Sequence, residues 1–567
     1  MNSVILAVLG VGMVLAGYFL YSQFLAKRVF KLQPKFKTPA HELSDGVDFV
    51  PTNKFVLWGH HFTSVAGAAP IVGPAVAVIW GWLPAFLWVT LGTVFFAGMH
   101  DFGAMWASVR NKGQSIGTLS GRYIGNRGRN LFLVVIFLLL LMVNAVFAVV
   151  ISDLLVNQPT SVIPTWGAIV VALGIGQAIY RFKWNLPIVS LVGVVLLYAL
   201  IMLGDRFPIE LPETVMGLPA GAFWIVVLFI YAGIASLLPV WMLLQPRDYI
   251  NGLQLFIALA ILYVSILVSQ PTVVAPAVNT ALPEGTPSMV PLLFVTIACG
   301  AISGFHGIVS SGTSAKQLDK ETDSRFVGYF GAVGEGLLAL GTIIVVTAGY
   351  ETLAAWQETY SAFNQGGIGA FVTAGGSVLN NGLGIPVQLS ATILATMAVL
   401  FAATTMDTSV RLQRFVVAEV GQLMGFKLNT IVATVIVLTA TAALAFGADP
   451  SGAGGMIIWP LFGTTNQIMA ALTLAIITVM LIKRRRPYLP VLIPLLFVLT
   501  MTVYALFVQI GQFYAAGNWL LLVLDIVILV CALWVVVEAF AAMARAKNEP
   551  PEIDADVEAA EEEARVG

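Results

Sequence analysis

Residues 64–74 read SVAGAAPIVGP, in the middle of an otherwise apolar stretch that runs from 54 to 79. Pro70 and Pro74 each lack an amide hydrogen, and Gly67 and Gly73 sit beside them. Such density of proline and glycine predicts a helix broken or kinked partway along. If the stretch crosses a bilayer, the freed backbone cannot face lipid; it lines a cavity or is satisfied by neighbouring helices. A half-helix with proline in its first turn, beginning near Pro74, presents unpaired N–H groups and the positive end of its dipole. That arrangement suits a carboxylate. Ala66, Gly67, Pro70, Gly73 and Pro74 are therefore candidate substrate-binding positions.

The rest of the composition supports a membrane setting. Hydrophobic residues make up 59% of the 567 and charged residues 10%, against about 25% charged in soluble domains. Segments of about 20 apolar residues suffice to span a bilayer, and roughly fifteen can be marked: 2–24, 54–79, 83–108, 130–153, 164–180, 185–204, 220–244, 250–272, 290–312, 326–350, 386–410, 428–448, 456–482, 490–513 and 518–541. The first lacks a basic n-region and an A-x-A cleavage site, so it reads as a retained helix with its N-terminus outside. A net charge of −1 points to no nucleic-acid partner. Cys299 and Cys531 lie apart in apolar runs and give neither a metal spacing nor a disulfide framework. No cofactor motif is present.

On this division every Lys and Arg except Arg206 falls in an inner loop or the tail, including Arg122, Arg127 and Arg129 and the run Lys483–Arg486. The positive-inside rule supports the topology, with the C-terminal tail cytosolic. A second, weaker interruption is expected at Ala232–Pro239 in span 220–244, making Ala232, Gly233 and Ser236 candidates as well. Two broken helices in oppositely oriented units predict a five-plus-five inverted-repeat core with the site between the breaks. The simpler alternative is that these residues serve only close helix packing.

Polar groups inside spans each require a reason. His60 and His61 precede the first break; they are hydrogen-bonded packing residues, line the substrate or proton path, or, least favoured for want of a third ligand at a tell-tale spacing, hold a metal. His100-Asp101 sits well inside its span, and Asp101 is either functional or a structural partner for a helix end or Arg110. Ser303, His306, Ser310, Thr313 and Ser314 recur at helical spacing in 290–312, with Ser311 beside them. There the hydroxyls would suit Na⁺, and His306 a proton. Asp101, Ser303, His306, Ser310, Ser311 and Thr313 are the ion-coupling candidates. Glu335 stands mid-span with either role open. Asp407 is expected to pair locally with Arg411, and Thr464–Gln467 to join helices.

Several stretches together resemble one known family. They are VPTNKFVLWGHHFTSVAGAAPIVGP (50–74), HDFGAMWASVRNKGQSIG (100–117), LLPVWMLLQPRDY (237–249), FVTIACGAISGFHGIVSSGTSAKQLDKETD (294–323) and TTMDTSVRLQRF (404–415). The chain is similar in these to the carbon starvation protein A (CstA) family, which includes bacterial pyruvate importers. The resemblance implies an all-α polytopic protein of the bacterial inner membrane, with an inverted-repeat core akin to the amino acid–polyamine–organocation (LeuT-like) fold. It further implies proton-driven uptake of pyruvate or short peptides under carbon starvation, with sodium as the alternative coupling ion. By that analogy helix 290–312 faces the first break. The motifs place the family-like transport core at 50–424, after a peripheral helix and basic loop (1–49). Additional membrane helices are expected at 425–545 and an acidic tail at 546–567, disordered or loosely helical. A membrane-embedded enzyme or a nutrient sensor is the alternative class, but neither G-x-S-x-G nor H-E-x-x-H occurs.

Overall fold

The computed structural model describes residues 1–239, 242–363, 365–449, 451–452 and 454–552; the acidic stretch 553–567 lies outside them. Thirteen helices are long and apolar enough to cross a membrane. Numbering the long helices and half-helices in chain order gives α1 (Ser3–Val29), α2 (Lys54–Ala66), α3 (Ala69–Trp80), α4 (Trp82–Val109), α5 (Asn126–Asn157), α6 (Pro159–Ile179), α7 (Leu186–Arg206), α8 (Ala220–Leu237) and α9 (Leu244–Ser269). The series continues with α10 (Met289–Thr296) and α11 (Gly304–Gly312), α12 (Glu321–Ala348), α13 (Gly367–Leu383) and α14 (Val387–Gln422). Last come α15 (Thr430–Gly447), α16 (Ile457–Lys483), α17 (Leu489–Ala515) and α18 (Trp519–Asn548). The only strands among the described residues are a two-residue hairpin, Thr214–Val215 with Leu218–Pro219, turned by Met216 and Gly217 at positive φ.

Burial separates central from peripheral helices. The apolar windows of α5, α12, α14 and α16 are 83%, 89%, 89% and 100% buried, against 33% in α1 and 28% in α7. Helices that are apolar all round and buried form the centre, and their exposed apolar counterparts face lipid.

The first expected break is present. The α2–α3 pair bends by 46° at Gly67, whose φ of 54° and ψ of −160° no L side chain adopts cheaply. Asn53 caps α2 by accepting from Phe55 N–H, and Pro70 lies in the first turn of α3. The half-helix thus begins at Ala69, one turn earlier than Pro74, which sits inside it.

The second break is not where the sequence places it. α8 runs unbroken through Ala232, Gly233 and Ser236 and simply ends before Pro239. It packs on α5, α14 and α15, and a methyl at Gly233 would meet Leu438 of α15 at 2.7 Å. The proline ends a helix there rather than interrupting one. The second discontinuity is instead in 290–312, where residues 297–303 leave the helical path between α10 and α11 with Gly300 at φ 94°. Half-helix α2 lies against α11, and α3 against α10. The first half of one broken helix therefore pairs with the second half of the other, so the two run antiparallel. Gly73 permits this approach: a methyl there would stand 2.4 Å from the Thr296 carbonyl oxygen.

α13 is an element the sequence reading missed. At 17 residues, with five glycines and Asn380-Asn381, it falls short of the about 20 apolar residues that mark a span, yet it packs on α3, α9, α12 and α14.

Candidate functional site

The two breaks are satisfied differently. At the second, Phe305 N–H donates to Asn466 Oδ1 at 2.9 Å, and the Phe294, Ile297 and Gly300 carbonyls accept from Gln467, Trp88 and Thr93. Asn466 Nδ2 also donates to Ser303 Oγ at 3.0 Å. These α16 and α4 side chains hold the start of α11. Asn466 and Gln467, with Thr464 bonded to Gln509 of α17, join helices as read from the sequence, whereas Thr465 among the described residues bonds only within α16. At the first break, the Ser64 carbonyl accepts from Thr405, but the N–H groups of Ala68 and Ala69 meet no acceptor among the described residues. Two free donors at the positive end of α3 are an anion-binding feature. Ala66, Gly67 and Pro70 surround them, all buried.

Beside the second break lies a closed chain of charge. Asp101 Oδ1 is 2.8 Å from His100 Nδ1, and its Oδ2 is 2.7 Å from His306 Nδ1. His306 Nε2 in turn stands 3.2 Å from Glu335 Oε2. All four side chains are at most 1% exposed. His61 joins from α2: its Nδ1 is 2.8 Å from Ser314 Oγ, and its ring edge faces Gly331, one turn before Glu335.

His306 Nε2 and the Glu335 carboxylate face each other without a hydrogen bond, and neither has a hydrogen-bond partner among the described residues. The Asp101 carboxylate accepts from His306 Nδ1–H, which leaves Nε2 of a neutral imidazole as an acceptor. A bare Nε2 lone pair and an ionised Glu335 would then repel at 3.2 Å. One proton, on His306 or on Glu335, relieves this. Cys299 Sγ also lies with these two donor atoms within 4.8 Å. However, its thiol donates to Ser303 and accepts from Asn466, which suits a packed thiol better than a metal ligand.

A second chain of charge ties α2 down. His60 Nδ1 is 2.8 Å from Asp248 Oδ2, Asp248 Oδ1 is 3.3 Å from Arg247, and Arg247 pairs with Asp407 and Tyr231. Arg247, read from sequence as lying in an inner loop, is in fact 2% exposed. Asp407 correspondingly does not pair with Arg411, which donates to the Leu238 carbonyl. Arg110 is likewise taken by Glu321 rather than Asp101. A buried guanidinium needs a buried carboxylate, and here the carboxylate comes from 160 residues away.

The remaining candidates divide. Ser303 and Ser311 are committed to structural hydrogen bonds: Ser311 Oγ donates to Gly307 O and accepts from Ile116 N. Ser310 is buried with its hydroxyl unpaired, and Thr313 lies just past α11, half-buried. Ala232, Gly233 and Ser236 stay with α8, and Ser236 O accepts from Arg414. Of the members of the two chains, His100, Asp248, Arg247 and Tyr231 are given no site role by the sequence reading, which reads Asp407 as a local ion pair and leaves Glu335 open. Glu335 carried a signal, as a lone carboxylate in mid-span.

A helical membrane bundle with two antiparallel broken helices, free helix-end donors and a buried titratable cluster beside them has the build of a secondary transporter. Comparison with known proteins agrees: residues 2–356 and 349–505 match the family described as carbon starvation protein CstA, and the chain belongs to that family. Among relatives, a peptide transporter CstA of Campylobacter jejuni is 31% identical, covering 91% of this chain and 81% of its own. The pyruvate/proton symporter BtsT of Escherichia coli is also 31% identical, with 91% and 84% covered. A Bacillus subtilis peptide transporter CstA is 30% identical over 97% and 98%. Of solved structures, a manganese transporter from Eremococcus coleocola superposes with a TM-score of 0.51 at 11% identity, covering 89% of this chain and 99% of that one, a likeness of fold alone.

Proposed function

We propose that the chain is a proton-coupled importer of a small carboxylate-bearing carbon source, pyruvate or a short peptide, in the bacterial inner membrane. The observation that carries this is the Asp101–His306–Glu335 chain. In it His306 Nε2 faces Glu335 at 3.2 Å, with neither Nε2 nor the carboxylate otherwise hydrogen-bonded among the described residues, an arrangement that favours holding a proton next to the break. The substrate carboxylate docks on the Ala68 and Ala69 N–H groups. His60, His61, Gly67, Pro70 and Gly73 shape that site, and Asp101, His306 and Glu335 carry the coupling proton. Na⁺ is the weaker reading, because of the candidate hydroxyls only Ser310 is both buried and free.

The antiparallel pairing of the broken helices supports an inverted-repeat, LeuT-like core. Basic-residue placement supports an N-terminus outside and a cytosolic C-terminus. In that orientation a cavity of about 630 Å³ between α3, α5 and α13 opens outward, while the His60–Asp248–Arg247–Asp407 chain closes the inner half of α2. The conformation is then outward-facing. Transport is favoured over catalysis because the relatives are named as transporters. Uptake of pyruvate or tri-alanine into proteoliposomes under an imposed pH step tests the reading; turnover without accumulation would return the enzyme alternative.

A further inference from the structure

The outer cavity carries one charged residue among its described lining, Asp153 on α5. Asp153 is exposed and has no hydrogen bond or ion pair among the described residues. Its cavity neighbours are Val150, Leu154 and Asn157 on the same face of α5, Val72 on α3, and the start of α13. Phe147 continues that face one turn deeper, where a methyl on Gly67 would meet its ring at 2.7 Å. Phe147 therefore packs on the first break one helical turn below the cavity lining on α5.

From these positions we infer that Asp153 recognises a substrate ammonium group, so that the chain selects zwitterionic peptides over a simple monocarboxylate. The inference deepens the reading above and rests on its carboxylate site at Ala68 and Ala69. Six residues of helix separate Phe147 from Asp153, a rise of about 9 Å. An extended peptide spans about 3.3–3.6 Å per residue, so one of two or three residues bridges the two ends. Its carboxylate meets the free N–H groups and its ammonium meets Asp153. Pyruvate has no cation to offer and passes a like charge on its way in. An unpaired carboxylate lining an open cavity adds nothing to the packing of the bundle, which is the setting expected of a recognition group.

The test compares Ala-Ala-Ala, N-acetyl-Ala-Ala-Ala and pyruvate in proteoliposomes under one pH step, for the unaltered chain, Asp153→Asn and Asp153→Glu. Taking the negative charge away from the ammonium in Asp153→Asn should raise the KM for tri-alanine about tenfold or more. The acetylated peptide should be poor in all three proteins, pyruvate should be unchanged or improved in Asp153→Asn, and Asp153→Glu should keep most of the preference for tri-alanine. Equal handling of free and acetylated peptide by the unaltered chain, or an Asp153→Asn profile matching it, overturns the assignment. Ammonium selectivity that follows a sodium step instead would leave Asp153 in place and remove only the proton. If no probe accumulates under either gradient, the transport reading fails and this one with it.

Discussion

Replacing Gly73 with alanine is a sharp test of how closely the two broken helices meet. In an open helix the change is favourable by roughly 0.5–1 kcal/mol, because glycine is entropically costly there. At Gly73 the added methyl would stand 2.4 Å from the Thr296 carbonyl oxygen, where carbon and oxygen settle at about 3.3–3.6 Å. The obstacle is backbone, so α3 and α10 must separate by about 1 Å, and overpacking of this kind costs about 1–3 kcal/mol. Gly59 on α2 is the control: a methyl there would meet only Tyr249, at 3.6 Å, an ordinary van der Waals distance. Gly59→Ala should therefore match or exceed the unaltered protein in thermal denaturation in detergent. Gly73→Ala should melt lower and lose most pH-driven uptake. A Gly73→Ala protein as stable and as active as Gly59→Ala would refute the close approach and the site built on it.

Three further outcomes follow from the charge chains and the caps. Asp407→Ala strands the Arg247 guanidinium in the bundle and should cost about 3–5 kcal/mol, while Arg247→Met with Asp407→Leu should recover much of it; thermal denaturation of the two variants decides. Asn466→Ala leaves Phe305 N–H and Ser303 without their partner and should destabilise by about 1–3 kcal/mol, read as a lower melting temperature and raised exchange of the Phe305 amide. Asp101→Asn should retain exchange of substrate down its gradient but lose accumulation, measured as counterflow against pH-driven uptake in the same vesicles.

The spans and the first break were legible because both signals are local. Apolar length marks a span whatever its neighbours, and two prolines with two glycines announce a break within eight residues. The second break was not legible in the same way. Pro239 looked like an interruption but terminates α8, whereas CGAISG at 299–304 carries no proline. Its backbone is held open by Trp88, Thr93, Asn466 and Gln467, side chains distant in sequence. Ion pairing failed for the same reason. Arg411 is the near neighbour of Asp407, but burial of Arg247 outweighs proximity along the helix. His306 and Asp101 were each visible as costly polar groups inside spans; that they bond to each other, and that Glu335 completes the chain, emerges only once α4, α11 and α12 are packed together.

On the proposed reading, a proton bound between His306 and Glu335 drives uptake. Accumulation of pyruvate or tri-alanine in proteoliposomes, at fixed membrane potential with either a pH step or a sodium step, tests it most directly. Accumulation is expected to follow the pH step, ignore sodium, and disappear in both His306→Ala and Glu335→Gln while exchange persists. Accumulation that follows sodium and is indifferent to pH, with both variants active, would contradict it.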